Sequence, residues 1–194
     1  TCGLTYLGEP CKDGDKELGL HGRVSYIPAQ NVYIDSKWEG NTYLMWAQGK
    51  VREAEFFGAN VCLTRRIYAK LGSNKLRIED IVENLGHEPV PHMFLYHINI
   101  GFPILDENAE FISTSANVSP RDEEAEKGIQ QYSRFQSPSP KFKEQVFYHE
   151  MKADPDNHVY AAMVNRPFNK GQGLGIYVRY HKTQFTKFIQ WKMN

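Results

Sequence analysis

Cysteine is scarce in this chain and poorly spaced for structure. Cys2, Cys11 and Cys62 are the only three in 194 residues. An odd count without a C-x-x-C pair argues against a disulfide framework and against a structural zinc site. A surplus of either charge is also lacking. Lys plus Arg and Asp plus Glu both number 23, so the formal net charge is zero, and the electrostatic footprint of a nucleic-acid or anionic-membrane partner is missing. No apolar run approaches a membrane span, and no signal-peptide pattern opens the chain. A reducing cytoplasm is therefore the expected compartment. No Ser/His/Asp or Cys/His signature of nucleophilic catalysis is present. Gly171-Gln172-Gly173-Leu174-Gly175 is not a nucleotide loop, because strand-like residues follow it instead of a helix.

Aromatic residues are plentiful, with 11 Tyr, 11 Phe and 3 Trp. They suit strands and cores, and they also suit stacking on the C–H face of a sugar ring. Residues 1–30, rich in Gly and Pro, read as loops. Short β segments follow at Thr42–Gln48, Lys50–Phe56, Val61–Tyr68 and Lys75–Glu83. The last alternates Leu76, Ile78 and Val82 against Lys75, Arg77 and Glu79. Later strands are expected at Gln145–Met151, Val159–Val164, Leu174–Tyr180 and Phe185–Trp191. One short helix is expected near 119–132, with Ser119 at its N-cap and Pro120 in its first position. Many short strands and one helix imply a single all-β domain over 1–194, an antiparallel sandwich or barrel. The chain starts at Thr1 and stops at Asn194 straight after a strand-like run, which reads as a piece of a longer protein.

Residues 93–103, Met-Phe-Leu-Tyr-His-Ile-Asn-Ile-Gly-Phe-Pro, carry the strongest site signal. A strand projects alternate side chains to opposite faces. Phe94, Tyr96, Ile98 and Ile100 would then form a core face, and Met93, Leu95, His97 and Asn99 the other. Histidine can move a proton near neutral pH and an amide can orient a polyol. A core histidine satisfied by a backbone carbonyl reads the strand equally well. In Leu20-His21-Gly22-Arg23, His and Arg flank a glycine that permits close approach to the backbone, although a surface turn is the plainer reading. His87-x4-His92-x4-His97 is a poor metal pattern. His149, and Asn165-Arg166, can add polar groups to a cleft or can be exposed edge residues. Asp106 and Glu107 follow in a turn. Asp122, Glu123, Glu124 and Glu126 read as a solvated helix start.

Leu20-His21-Gly22, then Asp80-x-Val82-x-Asn84 leading into Leu95-Tyr96-His97-x-Asn99-x-Gly101-Phe102-Pro103, resembles the aldose 1-epimerase (galactose mutarotase-like) superfamily. Within it the chain is similar to an uncharacterised bacterial subgroup carrying a domain-of-unknown-function label. Thr1-Cys2-Gly3-Leu4, Leu18 to Arg23 and Gln190-Trp191-Lys192-Met193 match that subgroup. The resemblance implies an antiparallel β-supersandwich, incomplete at both ends, with a sugar cleft. It implies cofactor-free interconversion of aldose anomers or epimers, or else a non-catalytic sugar binder or sensor using the same cleft. It places His97 as the general acid toward the ring oxygen and His21, Arg23, Asn99 and His149 around the sugar. The superfamily's catalytic glutamate has no match, since its place falls after Asn194, and its upstream arginine falls near or before Thr1. The expected partner is a small sugar; no metal, cofactor, nucleic acid or membrane is expected.

Overall fold

The computed structural model describes residues 1–193, and strands dominate it. The chain divides into two compact units, Thr1–Ile98 and Asn99–Asn194.

The first unit holds β1 (Cys2–Leu4), β2 (Cys11–Asp13), β3 (Lys16–Leu18), β4 (Gln30–Glu39), β5 (Thr42–Ala54), β6 (Asn60–Lys70), β7 (Leu76–Asn84) and β8 (Met93–Leu95). β4 to β7 form an antiparallel meander in sequence order. The two segments expected at Thr42–Gln48 and Lys50–Phe56 are one strand, β5. Gly49 stays in register opposite Arg65 and does not break the ladder. β4 was not expected at all. Its ten residues are all exposed, so no buried apolar face marks it; the signal was the two-residue Gly40-Asn41 link between the paired Glu39 and Thr42. The stretch read as loops contains β1, β2 and β3. Each is only three residues long, too short for a period to emerge. β2 and β3 pair as a hairpin, whereas β1 pairs with β8 across the length of the unit. The core gathers Leu4, Val24, Val61 and Leu63, with Val51, Val82, Val90 and Phe94 packed on them. Strand alternation explains it: Val61 and Leu63 project from one face of β6, Val51 and Val82 from the matching faces of β5 and β7.

The second unit holds β9 (Ala109–Ser113), β10 (Ser115–Pro120), α1 (Glu123–Lys127), β11 (Gln145–Met151), β12 (His158–Asn165), β13 (Leu174–His181) and β14 (Phe188–Lys192). They make two three-stranded antiparallel sheets, β10-β11-β14 and β13-β12-β9. β12 shows the clean period of two, with Val159, Ala161, Met163 and Asn165 buried. The helix start is corrected. Ser119 and Pro120 close β10, pairing with Tyr148 and Phe147. The N-cap is Asp122, whose Oδ1 accepts the Ala125 N–H at 2.9 Å. That bond, followed by the Arg121 ion pair, holds the Asp122 carboxyl below its ordinary range. A carboxylate cap serves the helix better than the serine three residues earlier because it also meets the helix dipole. The acidic residues after it are, as expected, the solvated first turn. Among the described residues no helix is long and apolar enough to cross a membrane.

Candidate functional site

The histidine segment departs from the expected strand. Extended pairing lasts only for Met93–Leu95, because its partner β1 has only three residues. Beyond Leu95 the two-face alternation no longer applies. Tyr96 and His97 are both half-buried, Ile98 is 52% exposed, and Asn99 is exposed. Ile98 is therefore not core, and Asn99 is not placed on the face of His97 by strand geometry.

His97 nevertheless meets a partner. Its ring centroid lies 5.6 Å from that of His21, edge to face. β1 brings the two together. Gly3 pairs with Phe94 on one side and bridges Gly22 on the other. The Gly3 N–H donates to the His21 carbonyl at 2.8 Å, and the His21 N–H donates to the Gly8 carbonyl at 2.8 Å. The arch from Gly3 to Gly8 thus grips both backbone groups of His21, which sits in the left-handed region at φ +59°. Backbones approach so closely that a Cβ on Gly22 would lie 2.4 Å from the Tyr6 carbonyl oxygen and 2.6 Å from the Gly3 Cα. The glycine beside His21 admits this second backbone rather than a ligand. His21 Nδ1 is buried without a hydrogen-bond partner among the described residues. Neither imidazole forms an ion pair with a carboxylate among them.

Next to His97 lies a network that sequence reading missed. Arg65 and Asp80 stand directly opposite on β6 and β7. Arg65 Nε donates to Asp80 Oδ1 at 2.8 Å and Nη2 to Oδ2 at 2.6 Å. The Tyr96 hydroxyl donates to Asp80 Oδ2, and the Arg65 guanidinium sits 5.4 Å from the Tyr96 ring centre. Burial, then the bond to Asp80, pushes the Tyr96 hydroxyl well above its ordinary pKa, so it acts as a donor. The signal was present in β7: Asp80 occupies a position on the Leu76, Ile78 and Val82 face, where an acid needs a partner.

Arg23 is turned to other work. Its Nη1 lies 3.5 Å from Glu55 Oε1, while Lys16 Nζ binds Glu55 Oε2 at 2.9 Å. The three line a shallow pocket of about 380 Å³ with Tyr6, Glu17 and Leu18. His92 Nδ1 pairs with the Leu4 carbonyl at 3.0 Å and so serves β1; His87 is exposed.

In the second unit His149 is 5% exposed, not an edge residue. Gln190 Nε2 donates to the Tyr132 carbonyl at 2.8 Å, which turns its Oε1 toward His149 Nε2 at 3.1 Å. His149 Nε2 therefore carries the proton, and Ser115 Oγ, 2.8 Å away, donates to Nδ1. Phe111, Tyr132 and Phe188 surround the ring. Both nitrogens are engaged, so His149 acts as a core histidine. Burial lowers its pKa from 6.5, against a smaller opposing effect of Gln190. The unfolded chain then binds the proton more readily than the native one. Stability is full above about pH 6.5 and falls as the pH drops from there through the lowered native value. Urea midpoints between pH 5 and 8 test this: His149→Gln is expected to flatten the acid side of the profile, and parallel profiles would contradict it.

Asn165 is likewise fully buried, its Nδ2 donating to the Pro103 carbonyl at 3.4 Å. Bonding by Asn165, then by the Asn108 backbone, lowers the Asp106 carboxyl pKa. Asp154, Asp156 and His158 come together, but Asp154 Oδ1 already accepts the backbone N–H groups of Asp156 and His158, which accounts for the cluster as a turn.

Antiparallel sheets throughout define an all-β protein with an aldose-epimerase-like fold. At the fold level this is borne out by a crystal structure described as "a putative aldose 1-epimerase" from Klebsiella pneumoniae subsp. pneumoniae. It matches 98% of this chain with a TM-score of 0.91 and 28% sequence identity. The chain covers 48% of that protein, about half its length. The chain belongs to the family described as domain of unknown function DUF4432, whose profile matches residues 1–194. No curated protein matches it.

Proposed function

We propose that residues 1–194 form one functional domain of a cytoplasmic protein whose site, centred on His21 and His97, binds a small sugar and serves cofactor-free aldose 1-epimerase chemistry. The observation that carries this reading is the 5.6 Å approach of two imidazoles from opposite ends of the first unit. The likeness to the Klebsiella protein supports the reaction class. His97, protonated, would deliver its proton to the pyranose ring oxygen as the bond from that oxygen to the anomeric carbon breaks. A base would take the anomeric hydroxyl proton, leaving the open-chain aldehyde. Rotation about the adjacent carbon–carbon bond and reversal of both transfers yield the other anomer. His21 would line the same site and help to orient a sugar hydroxyl beside His97.

A second reading, a sugar binder or sensor without turnover, is favoured by one observation: among the described residues no carboxylate pairs with either imidazole. Titration of the histidine-labelled chain with neutral aldoses, uronic acids and sugar phosphates, followed by NMR, tests the shared part. Saturable shifts confined to His21 and His97 are expected, with binding weakened about tenfold in His97→Ala, the loss of roughly one charge-assisted hydrogen bond. Exchange between α and β anomer signals, followed in the full-length protein, separates the two readings; the 194-residue chain alone is expected to turn over weakly or not at all. Silence of both imidazoles across the panel would sink them together.

A further inference from the structure

Glu53 is the most deeply buried acid among the described residues, 1% exposed on β5. It shares a strand face with Val51 and stands opposite Val61, both part of the apolar cluster that includes Leu4 and Val24. A carboxylate there is expensive unless a bond requires it. Its Oε1 accepts the Thr5 hydroxyl at 2.5 Å, while Oε2 has no hydrogen-bond partner among the described residues. Thr5 lies inside the arch from Gly3 to Gly8 that holds both the carbonyl and the N–H of His21. Two residues on, Glu55 ties Lys16 and Arg23, on either side of His21 in the chain, to the end of the same strand.

We propose that Glu53 is a positioning residue: acting through Thr5, it sets the arch and thereby the placement of the His21 imidazole beside His97. Removing the Thr5 hydroxyl frees the middle of the arch while leaving its ends paired, so His21 would sample orientations that turn Nδ1 away from its present position. The effect on sugar binding rests on the site reading above; the effect on His21 does not, and is read on the free protein.

The experiment uses the 194-residue chain with labelled histidines and two variants. Thr5→Val removes the donor and keeps the shape. Glu53→Gln keeps an acceptor oxygen in the same place. In Thr5→Val the His21 ring signal is expected to move, while the His149 and His158 signals stay. In Glu53→Gln the His21 signal is expected to remain near its wild-type position. In the aldose titration Thr5→Val is expected to raise Kd about tenfold, equivalent to about 1.4 kcal/mol. An unmoved His21 signal in Thr5→Val overturns the proposal, as does a displacement shared by all seven histidines, which would mean general loosening. If His21 moves in Thr5→Val but the wild-type chain binds no sugar, the anchor stands and the site reading falls.

Discussion

Replacing Asp80 with alanine is expected to destabilise the first unit by about 3 kcal/mol, the lower end of what breaking a buried ion pair costs. Asp80 is enclosed, its side chain 8% exposed, and it accepts from Arg65 twice and from Tyr96 once. The variant leaves a partly buried guanidinium without its counter-charge and takes an acceptor from the half-buried Tyr96 hydroxyl. Arg65 keeps 26% exposure, which lets water recover part of the loss and keeps the cost at the low end. Asp80→Asn retains an acceptor for one donor and should fall between wild type and alanine. The measurement is the urea midpoint, with the His97 NMR signal as a local reporter, because Tyr96 is its chain neighbour. A loss below about 1 kcal/mol in Asp80→Ala would show that the network behaves as an ordinary solvated pair.

The second large effect is expected at Gly3. Its φ is +102°, and a Cβ there would stand 2.1 Å from the Met93 carbonyl oxygen and 2.9 Å from its carbon. Both are backbone atoms of the paired strand and cannot swing aside. Gly3→Ala therefore combines a disfavoured backbone angle, about 1–2 kcal/mol, with an overlap of about 1–3 kcal/mol. A total near 3 kcal/mol would release β1 from both β8 and Gly22. His21 and His97 would separate, and any sugar binding at the pair would be lost with them. Hydrogen exchange at the amides of residues 2–4 and 93–95 reads the undocking directly. Protection equal to wild type would mean that β1 is not what joins the two histidines. Gly8, at φ +116° with open space around it, is a control: Gly8→Ala pays the backbone angle without the overlap and should cost less.

Much of the architecture was legible because half-buried strands alternate. β11 was placed to the residue, and β6, β7, β12 and β13 within one or two residues at each end. What escaped lacked that mark. β4 is exposed along its whole length, β1 has three residues, and the segment from Ala109 to Pro120 divides into β9 and β10 in different sheets. Ser119-Pro120 looks like a helix entrance because a local motif cannot report that β11 is waiting to pair with it. His149 and Asn165 read as edge residues for a related reason: the groups that meet a buried polar side chain lie far off in the chain, as Ser115 and Gln190 do for His149 and Pro103 does for the Asn165 Nδ2, while the Asn165 Oδ1 is buried without a hydrogen-bond partner among the described residues.

The sequence by itself determined the all-β class, the order of the later strands and the choice of His21 and His97 as the residues to watch, since these depend on short-range periodicity and on motif order. The tertiary structure alone decided that the two histidines meet, that Arg65, Asp80 and Tyr96 form one network, and that Arg23 is paired with Glu55. The reason is physical. The meeting depends on Gly3 lying between Gly22 and Phe94, a backbone contact between segments far apart in the chain, made possible by a side chain that is not there.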